Sequence, residues 1–238
     1  MGVRKITLAP TPLVFDPALS SADVDLVGLA ERARTAPTKA LSFCLSGPPG
    51  TGKSAYARFL AEKLDMEVLD KRYSDLISSY LGESEKAIAR AFEEAADMRA
   101  FLILDEADSL LRDRGVARHS WEITQVNEML TWMERHPYPF ACTTNAPDLM
   151  DHATARRFIF KVRFLPMTAI QIAAAFRRTF QIECPEFAVN LDGLTPGDFA
   201  VVARKAEVFG ESDPIRLAKW LEEEANAKPE GKRRRIGF

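Results

Sequence analysis

The chain has 238 residues, 47% hydrophobic and 28% charged, which is the balance of a globular protein with room for one large core, or for one core and a small lobe. A formal net charge of -2 argues against general affinity for nucleic acid or anionic membrane, and no apolar run reaches the roughly 18 residues that span a bilayer. Cys44, Cys142 and Cys184 lack metal-ligand spacing, and the first residues lack a signal-peptide apolar segment, so a reducing, cytoplasmic setting is expected.

Residues 1–20 read as an extended arm, because Pro10, Pro12 and Pro17 oppose helix. Ser21 is placed to cap a helix over 22–34, with Val24, Val27, Leu29 and Ala30 as its apolar face. Residues 35–39 form a linker. The apolar run 40–45 then reads as a strand, and it leads into Gly47-Pro48-Pro49-Gly50-Thr51-Gly52-Lys53-Ser54, followed by a helical pattern over 55–64. Strand, glycine-rich loop and helix with G-x4-G-K-S/T spacing is a phosphate-binding loop. Its glycines let successive N–H groups face phosphate, and the helix N-terminus adds free N–H groups and a favourable dipole. The expected contacts run from Pro49 through Gly50, Thr51, Gly52, Lys53 and Ser54 to Ala55, with Lys53 as the charge for the outer phosphates and Ser54 as a Mg²⁺ ligand.

A short strand is expected at 67–69, a helix start at Ser74 and Asp75, and an amphipathic helix over 84–98. Between them, Tyr80 and Leu81 stand beside Gly82 in a polar stretch, and they suit contact with a ligand or polypeptide as well as local packing. The run Phe101 to Leu104 reads as an interior parallel strand that delivers Asp105 and Glu106 to its C-terminal end, where open α/β sheets bind ligands. Asp105 is assigned to Mg²⁺ opposite Ser54, and Glu106 to orienting and polarising the attacking water. Asp108 has a weaker case and reads equally as a helix start. The basic loop 110–119 is open between a partner face and a solvated one. A helix over 121–135 carries Ile123, Val126, Met129, Leu130 and Met133 as its core stripe. The strand 140–144 ends at Asn145, whose amide suits a terminal phosphate or the lytic water. A helix over 151–158 carries Arg156 and Arg157, and a last strand spans 160–165. Beyond Pro166 the pattern changes to helices at 169–180, 196–209 and 214–226, which is a small helical lobe. Residues 228–238 read as a basic flexible tail.

In this order the motifs resemble the AAA+ ATPases, and within them the classical AAA subfamily of katanin, spastin, Vps4 and Cdc48 type, over about residues 40–210. Gly47–Ser54 is similar to Walker A, Phe101–Glu106 to Walker B, and Asn145 to the sensor-1 position. The resemblance implies a three-layer α/β/α P-loop NTPase fold with a mostly parallel five-stranded sheet, followed by a helical lid. It divides the chain into an N-terminal arm, helix and linker (1–39), an ATPase domain (40–165), a lid (166–227) and a tail (228–238). It also implies ATP hydrolysis to ADP and phosphate with Mg²⁺, in a homo-oligomeric ring, usually a hexamer. Arg156 and Arg157 would complete a neighbour's site, and Tyr80 and Leu81 would line a pore that grips a protein or peptide substrate. Gly197, in Thr195-Pro196-Gly197-Asp198, stands where the lid approaches nucleotide. The segment 158–161 is less charged than the family's usual pattern, no sensor-2 arginine is evident, and no targeting domain fits within the chain. An excised module served by an adaptor or a missing N-terminal domain is therefore expected, with its own assembly open between monomer and ring. Two other readings stay open: a nucleotide-dependent scaffold or switch with slow hydrolysis, and a nucleic-acid-handling AAA+ ATPase, which the net charge disfavours.

Overall fold

A computed structural model describes residues 15–78, 80, 82–111, 120–150 and 152–228. They fall into two compact units. One runs from Ala22 to Leu165; the other joins the residues up to Ser21 to those from Pro166 onward.

The sheet has strands β1 (Ser21–Ala22, where the two units divide), β2 (Ser42–Ser46), β3 (Val68–Arg72), β4 (Phe101–Asp105), β5 (Phe140–Thr144) and β6 (Phe160–Leu165), in the spatial order β1-β6-β2-β5-β4-β3, and β2 to β6 belong to the first unit. The four pairings among β2 to β6 are all parallel. The order puts β5 between β2 and β4, so the C-terminal ends of these three strands adjoin. That adjacency positions the site. β2 and β5 are buried along their whole length, as continuous apolar strands covered on both faces must be. β3 is an edge strand of alternating exposure that runs on to Arg72, past the expected 69, because Asp70 and Arg72 continue its pairing with Ile103 and Asp105.

The helices of this unit are α1 (Leu26–Arg34), α2 (Lys53–Lys63), α3 (Tyr73–Leu76), α4 (Glu83–Met98), α5 (Ser120–Arg135) and α6 (His152–Ala155). Ser21 does not cap α1. It lies in β1, beside β6, and is the sixth strand where five were expected. Asp25 caps the helix instead, with its carboxylate accepting from the N–H of Val27 and Gly28 at 3.1 and 3.0 Å. The buried face of α1 is accordingly Leu26, Leu29, Ala30 and Ala33, while Val24 and Val27 are exposed. In α5 the expected stripe is buried at Val126, Met129, Leu130 and Met133, but Ile123 is exposed. Of the helix expected at 151–158, Asp151 lies outside the described residues and the rest is helical only over His152–Ala155. The chain turns at Arg156 and Arg157, and Ser42 Oγ on β2 braces that turn by donating to the Arg157 carbonyl at 3.1 Å and accepting from the Ile159 N–H at 2.9 Å.

Where α5 runs into β5, His136 is 5% exposed among Phe92, Phe140 and Tyr138 (centroids at 5.2, 6.1 and 6.2 Å), and its Nε2 has no hydrogen-bond partner among the described residues. Burial lowers its pKa from 6.5 to about 4, so the folded protein holds it neutral. The unfolded chain binds a proton here below about pH 6.5 that the folded chain refuses. The corresponding stability is complete above that pH and is lost as pH falls toward 4, by up to about 3 kcal/mol. His136→Phe is expected to lose less stability than wild type between pH 7 and pH 4.5, as urea unfolding at the two pH values would show.

The second unit contains α7 (Ala169–Phe180), α8 (Glu186–Val189), α9 (Pro196–Phe209) and α10 (Pro214–Ala227) around Phe176, Phe180, Phe199, Val202, Leu217 and Leu221. Thr168 and Thr195 begin α7 and α9 with capping boxes. Residues 1–14 of the expected extended arm lie outside the described residues; the described end of it is a 3₁₀ turn over Pro17–Leu19, capped by Asp16, with Leu19 packed on this helical core. Lys228, read as the start of a free tail, donates from Nζ to Asp198 Oδ2 at 2.5 Å and to the Gly193 carbonyl at 2.8 Å, tying the end of α10 to the start of α9. The basic run 232–235 lies outside the described residues, as does most of the basic loop (112–119). Among the described residues no helix is long and apolar enough to cross a membrane.

Candidate functional site

β2 ends in a loop whose glycines take conformations that few other residues adopt: φ is 134° at Gly47, 78° at Gly50 and 97° at Gly52. Gly47 also has no room for a side chain, since a Cβ there would lie 2.3 Å from the carbonyl oxygen of Phe164 on β6. The loop is braced from within by Thr51, fully buried, whose hydroxyl donates to the Pro48 carbonyl at 2.8 Å. Pro49 and Gly50 form its exposed crest. α2 begins at Lys53, earlier than the expected 55, so Lys53, Ser54 and Ala55 make up its first turn. The dipole and unpaired N–H groups of that turn favour an anion.

Lys53 is 7% exposed. Its ammonium donates to the carbonyls of Gly47 and Pro48 and to Asn145 Oδ1, each at 2.8 Å. Burial lowers its pKa to about 8, against the opposing pull of Asp108 and Asp105. Ser54 Oγ donates to Asp105 Oδ1 at 2.6 Å. The same carboxylate oxygen accepts from Thr143 Oγ1 at 2.6 Å, and Thr143 Oγ1 in turn accepts from the Glu106 N–H at 2.9 Å. Glu106 is exposed, just past the strand end, with φ 58°. A non-glycine residue in this left-handed region costs about 1 kcal/mol or more and persists only where its surroundings hold it. Here the Thr143 bond and the 3₁₀ turn Ala107–Ser109 do so.

Lys53, Ser54, Asp105 and Asn145 are thus joined by direct contacts, and Glu106 is joined to them through Thr143. Ser54 and Asp105 offer adjacent hard oxygen donors, the kind that Mg²⁺ takes one or two of while drawing its remaining ligands from water and phosphate. Three further residues complete the network: Thr143 and Thr144, which the sequence shows only as strand, and Asp108, which it gives a weak case beside that of a helix start. Thr143 links the two strand-end acids. Thr144 and Asp108 bond each other through side chains, and Asp108 Oδ1 also accepts from the N–H of Asn145 at 2.8 Å and of Ala146 at 3.3 Å. Two hydroxyls closing an otherwise apolar strand, Phe140-Ala141-Cys142-Thr143-Thr144, were the available signal.

The profile of the "ATPase family associated with various cellular activities (AAA)" matches residues 43–165, from the start of β2 to the end of β6. The chain belongs to this AAA family. Among similar proteins, "Protein SUPPRESSOR OF K(+) TRANSPORT GROWTH DEFECT 1" of Arabidopsis thaliana is 33% identical over 179 residues, which is 72% of this chain and 40% of that protein. "Protein CdcH" of Halobacterium salinarum is 28% identical over 78% of this chain and 28% of its own length. "Vacuolar protein sorting-associated protein 4B" of Mus musculus is 30% identical over 71% of this chain and 38% of its own. This AAA chain therefore spans well under half the length of these curated relatives.

Tyr80, Arg156 and Arg157 make no hydrogen bond to this cluster among the described residues. Tyr80 is 78% exposed before Gly82, which has φ 79° at the N-cap of α4; Leu81 lies outside the described residues. Arg156 is exposed and makes no hydrogen bond or ion pair among the described residues. Arg157 differs: it donates to Glu134 Oε1 on α5 at 2.6 Å and to the Ala153 carbonyl at 2.8 Å. Gly197 belongs to the other unit, as the second residue of α9.

Proposed function

We propose that this AAA chain binds ATP at the loop 47–54, hydrolyses it with Mg²⁺ to ADP and phosphate, and uses the cycle to remodel or thread a protein substrate. The observation that carries the reading is the convergence of Lys53, Ser54, Asp105, Glu106 and Asn145 at the adjoining ends of β2, β4 and β5. Loop N–H groups and the first turn of α2 cradle the phosphates, from Pro49 to Ala55. Lys53 neutralises their charge. Ser54 and Asp105 would hold Mg²⁺, and the ion would supply charge stabilisation for phosphoryl transfer when bound. Glu106 accepts the proton of the attacking water, and Asn145 orients the water or the terminal phosphate by hydrogen bonds.

Hydrolysis is completed in a ring, usually a hexamer, where an arginine from one subunit reaches its neighbour's phosphate. Arg156 is the better placed of the pair, because Arg157 is already held by Glu134 and Ala153. Arg156→Ala is expected to lower turnover of the assembled protein by at least about tenfold, while Arg157→Ala chiefly lowers Tm. ATPase rates and thermal melts of the two variants separate the roles. Tyr80, with Leu81, contacts the threaded polypeptide, and an adaptor or further domain supplies targeting.

Lys53 also sets a pH limit. With a free-site pKa of about 8, its charge is complete below that pH and is lost above it. Nucleotide affinity is expected to hold to about pH 8 and then to fall by up to tenfold per pH unit, a fall that Lys53→Ala removes; titration calorimetry from pH 7 to 10 measures it.

The deciding experiment is Mg²⁺-dependent ATP hydrolysis over a wide range of protein concentration, with mass by light scattering on the same samples. Turnover per chain that rises as a ring forms supports the shared-site motor. An assembled ring that binds ATP without hydrolysing it overturns the motor in favour of a nucleotide-dependent scaffold.

A further inference from the structure

Asp108 lies outside the set of residues to which the proposed reaction assigns a task, yet it holds more of the site together than its place in the sequence suggests. It belongs to the 3₁₀ turn that follows β4 and Glu106. From there its Oδ1 reaches across to the end of β5 and accepts from three groups in consecutive residues: the Thr144 hydroxyl, the Asn145 N–H at 2.8 Å and the Ala146 N–H at 3.3 Å. Thr144 is 2% exposed, and its hydroxyl also accepts from the Ala146 N–H at 3.1 Å, so the turn that carries Asn145 is closed on the Asp108 side. On the other side the Asn145 amide oxygen receives Lys53 Nζ. Asn145 is therefore gripped by its backbone from the 3₁₀ turn that follows Glu106, and by its side chain from Lys53 at the end of the phosphate loop.

We infer that Asp108 is a positioning residue for hydrolysis: its carboxylate fixes the Asn145 backbone against the β4 turn, so that Glu106 and Asn145 present a single geometry to the attacking water. This inference rests on the ATPase reading above for its catalytic consequence, although the bonds themselves do not. An ionised carboxylate suits the task because one oxygen accepts several donors at once and accepts them strongly. The bonds tie two loops that have no ladder between them at this point, since the β4–β5 pairing is recorded only as far as Leu104 and Cys142. Without the carboxylate, the two N–H groups and the Thr144 hydroxyl lose their common acceptor, and Asn145 is free to move relative to Glu106. A displacement of about 1 Å at a reacting centre can cost about a hundredfold in rate.

The test compares wild type, Asp108→Ala and Asp108→Asn by two readouts. The first is hydrogen exchange of the peptide that contains Asn145 and Ala146, measured on the full chain without nucleotide. The second is steady-state ATPase activity of the assembled protein, with ADP affinity and Tm measured alongside. Asp108→Ala is expected to raise exchange at these amides, to lower kcat about a hundredfold and to change ADP affinity less than about threefold. Asp108→Asn keeps an oxygen acceptor in place and is expected to restore protection and to bring kcat within about tenfold of wild type. Unchanged exchange in Asp108→Ala overturns the inference, whatever the activity. Raised exchange with kcat within threefold of wild type also overturns it, as does a loss of kcat and ADP affinity together with a large fall in Tm, which would mark a general structural role. A wild type that assembles but does not hydrolyse ATP overturns the ATPase reading and, with it, the catalytic consequence of the clamp; the exchange result then decides the clamp alone.

Discussion

Glu106→Gln is expected to lower ATP turnover about a hundred- to a thousandfold while nucleotide affinity changes less than about threefold. The substitution preserves shape and an oxygen acceptor, and removes only the ability to take a proton. General-base assistance is commonly worth about 10²–10⁴ in rate, or about 3–5 kcal/mol of barrier. The backbone at Glu106 is held by its own N–H on Thr143 and has φ 58°, and neither feature depends on the carboxylate, so Tm should stay within about two degrees of wild type. Steady-state kinetics with binding of a fluorescent ADP analogue would check both parts. Turnover within tenfold of wild type would move the base elsewhere. A matching loss of affinity would make Glu106 a ligand-binding group instead.

Gly47→Ala carries the largest expected structural effect. Two penalties coincide there: φ is 134°, and the new methyl would lie 2.3 Å from the Phe164 carbonyl oxygen. Backbone rather than a flexible side chain opposes the methyl, so either β6 or the phosphate loop must move. Strained dihedrals and overpacking each cost about 1–3 kcal/mol, which puts the loss at about 2–5 kcal/mol with nucleotide affinity down at least tenfold. Gly210, the C-cap of α9, is the control. It also has positive φ, 63°, but nothing lies within 4 Å of a Cβ built there. Gly210→Ala should cost only about 1–2 kcal/mol and leave nucleotide binding unchanged. Chemical denaturation of the two variants beside wild type separates the steric penalty from the dihedral one.

The contrast between these glycines marks how far the sequence could be read. Spacing alone pointed to a tight turn at Gly47, because strand, loop and helix follow one another locally. It carried no sign of Phe164, which lies more than a hundred residues further on and becomes a neighbour only when β6 pairs with β2. The strands were legible for the same local reason: Phe101 to Leu104 and Phe140 to Cys142 are unbroken apolar runs ending in polar residues. The start of α1 is ambiguous in the sequence because Ser21 and Asp25 are both good caps, and β1, which a two-residue strand pattern cannot announce, decides between them. Thr143, Thr144 and Asp108 were underrated because their importance lies in whom they bond across strands. Arg156 and Arg157 are adjacent and chemically identical, and what tells them apart is the pair of partners that Arg157 bonds, Glu134 on α5 and the Ala153 carbonyl.

Lys53 carries one more implication. Its three ammonium protons are already engaged, two by carbonyls of its own loop and one by Asn145. A phosphate arriving there does not meet an idle charge. It competes for donors in an exchange reaction, and the measured affinity is the difference between two sets of bonds. The heat released on association should therefore understate the strength of the lysine–phosphate contact. On the proposed reading, each proton surrendered to the ligand would also be one withdrawn from the loop or from Asn145, so occupancy of the loop would be felt at the end of β5 without any intermediary.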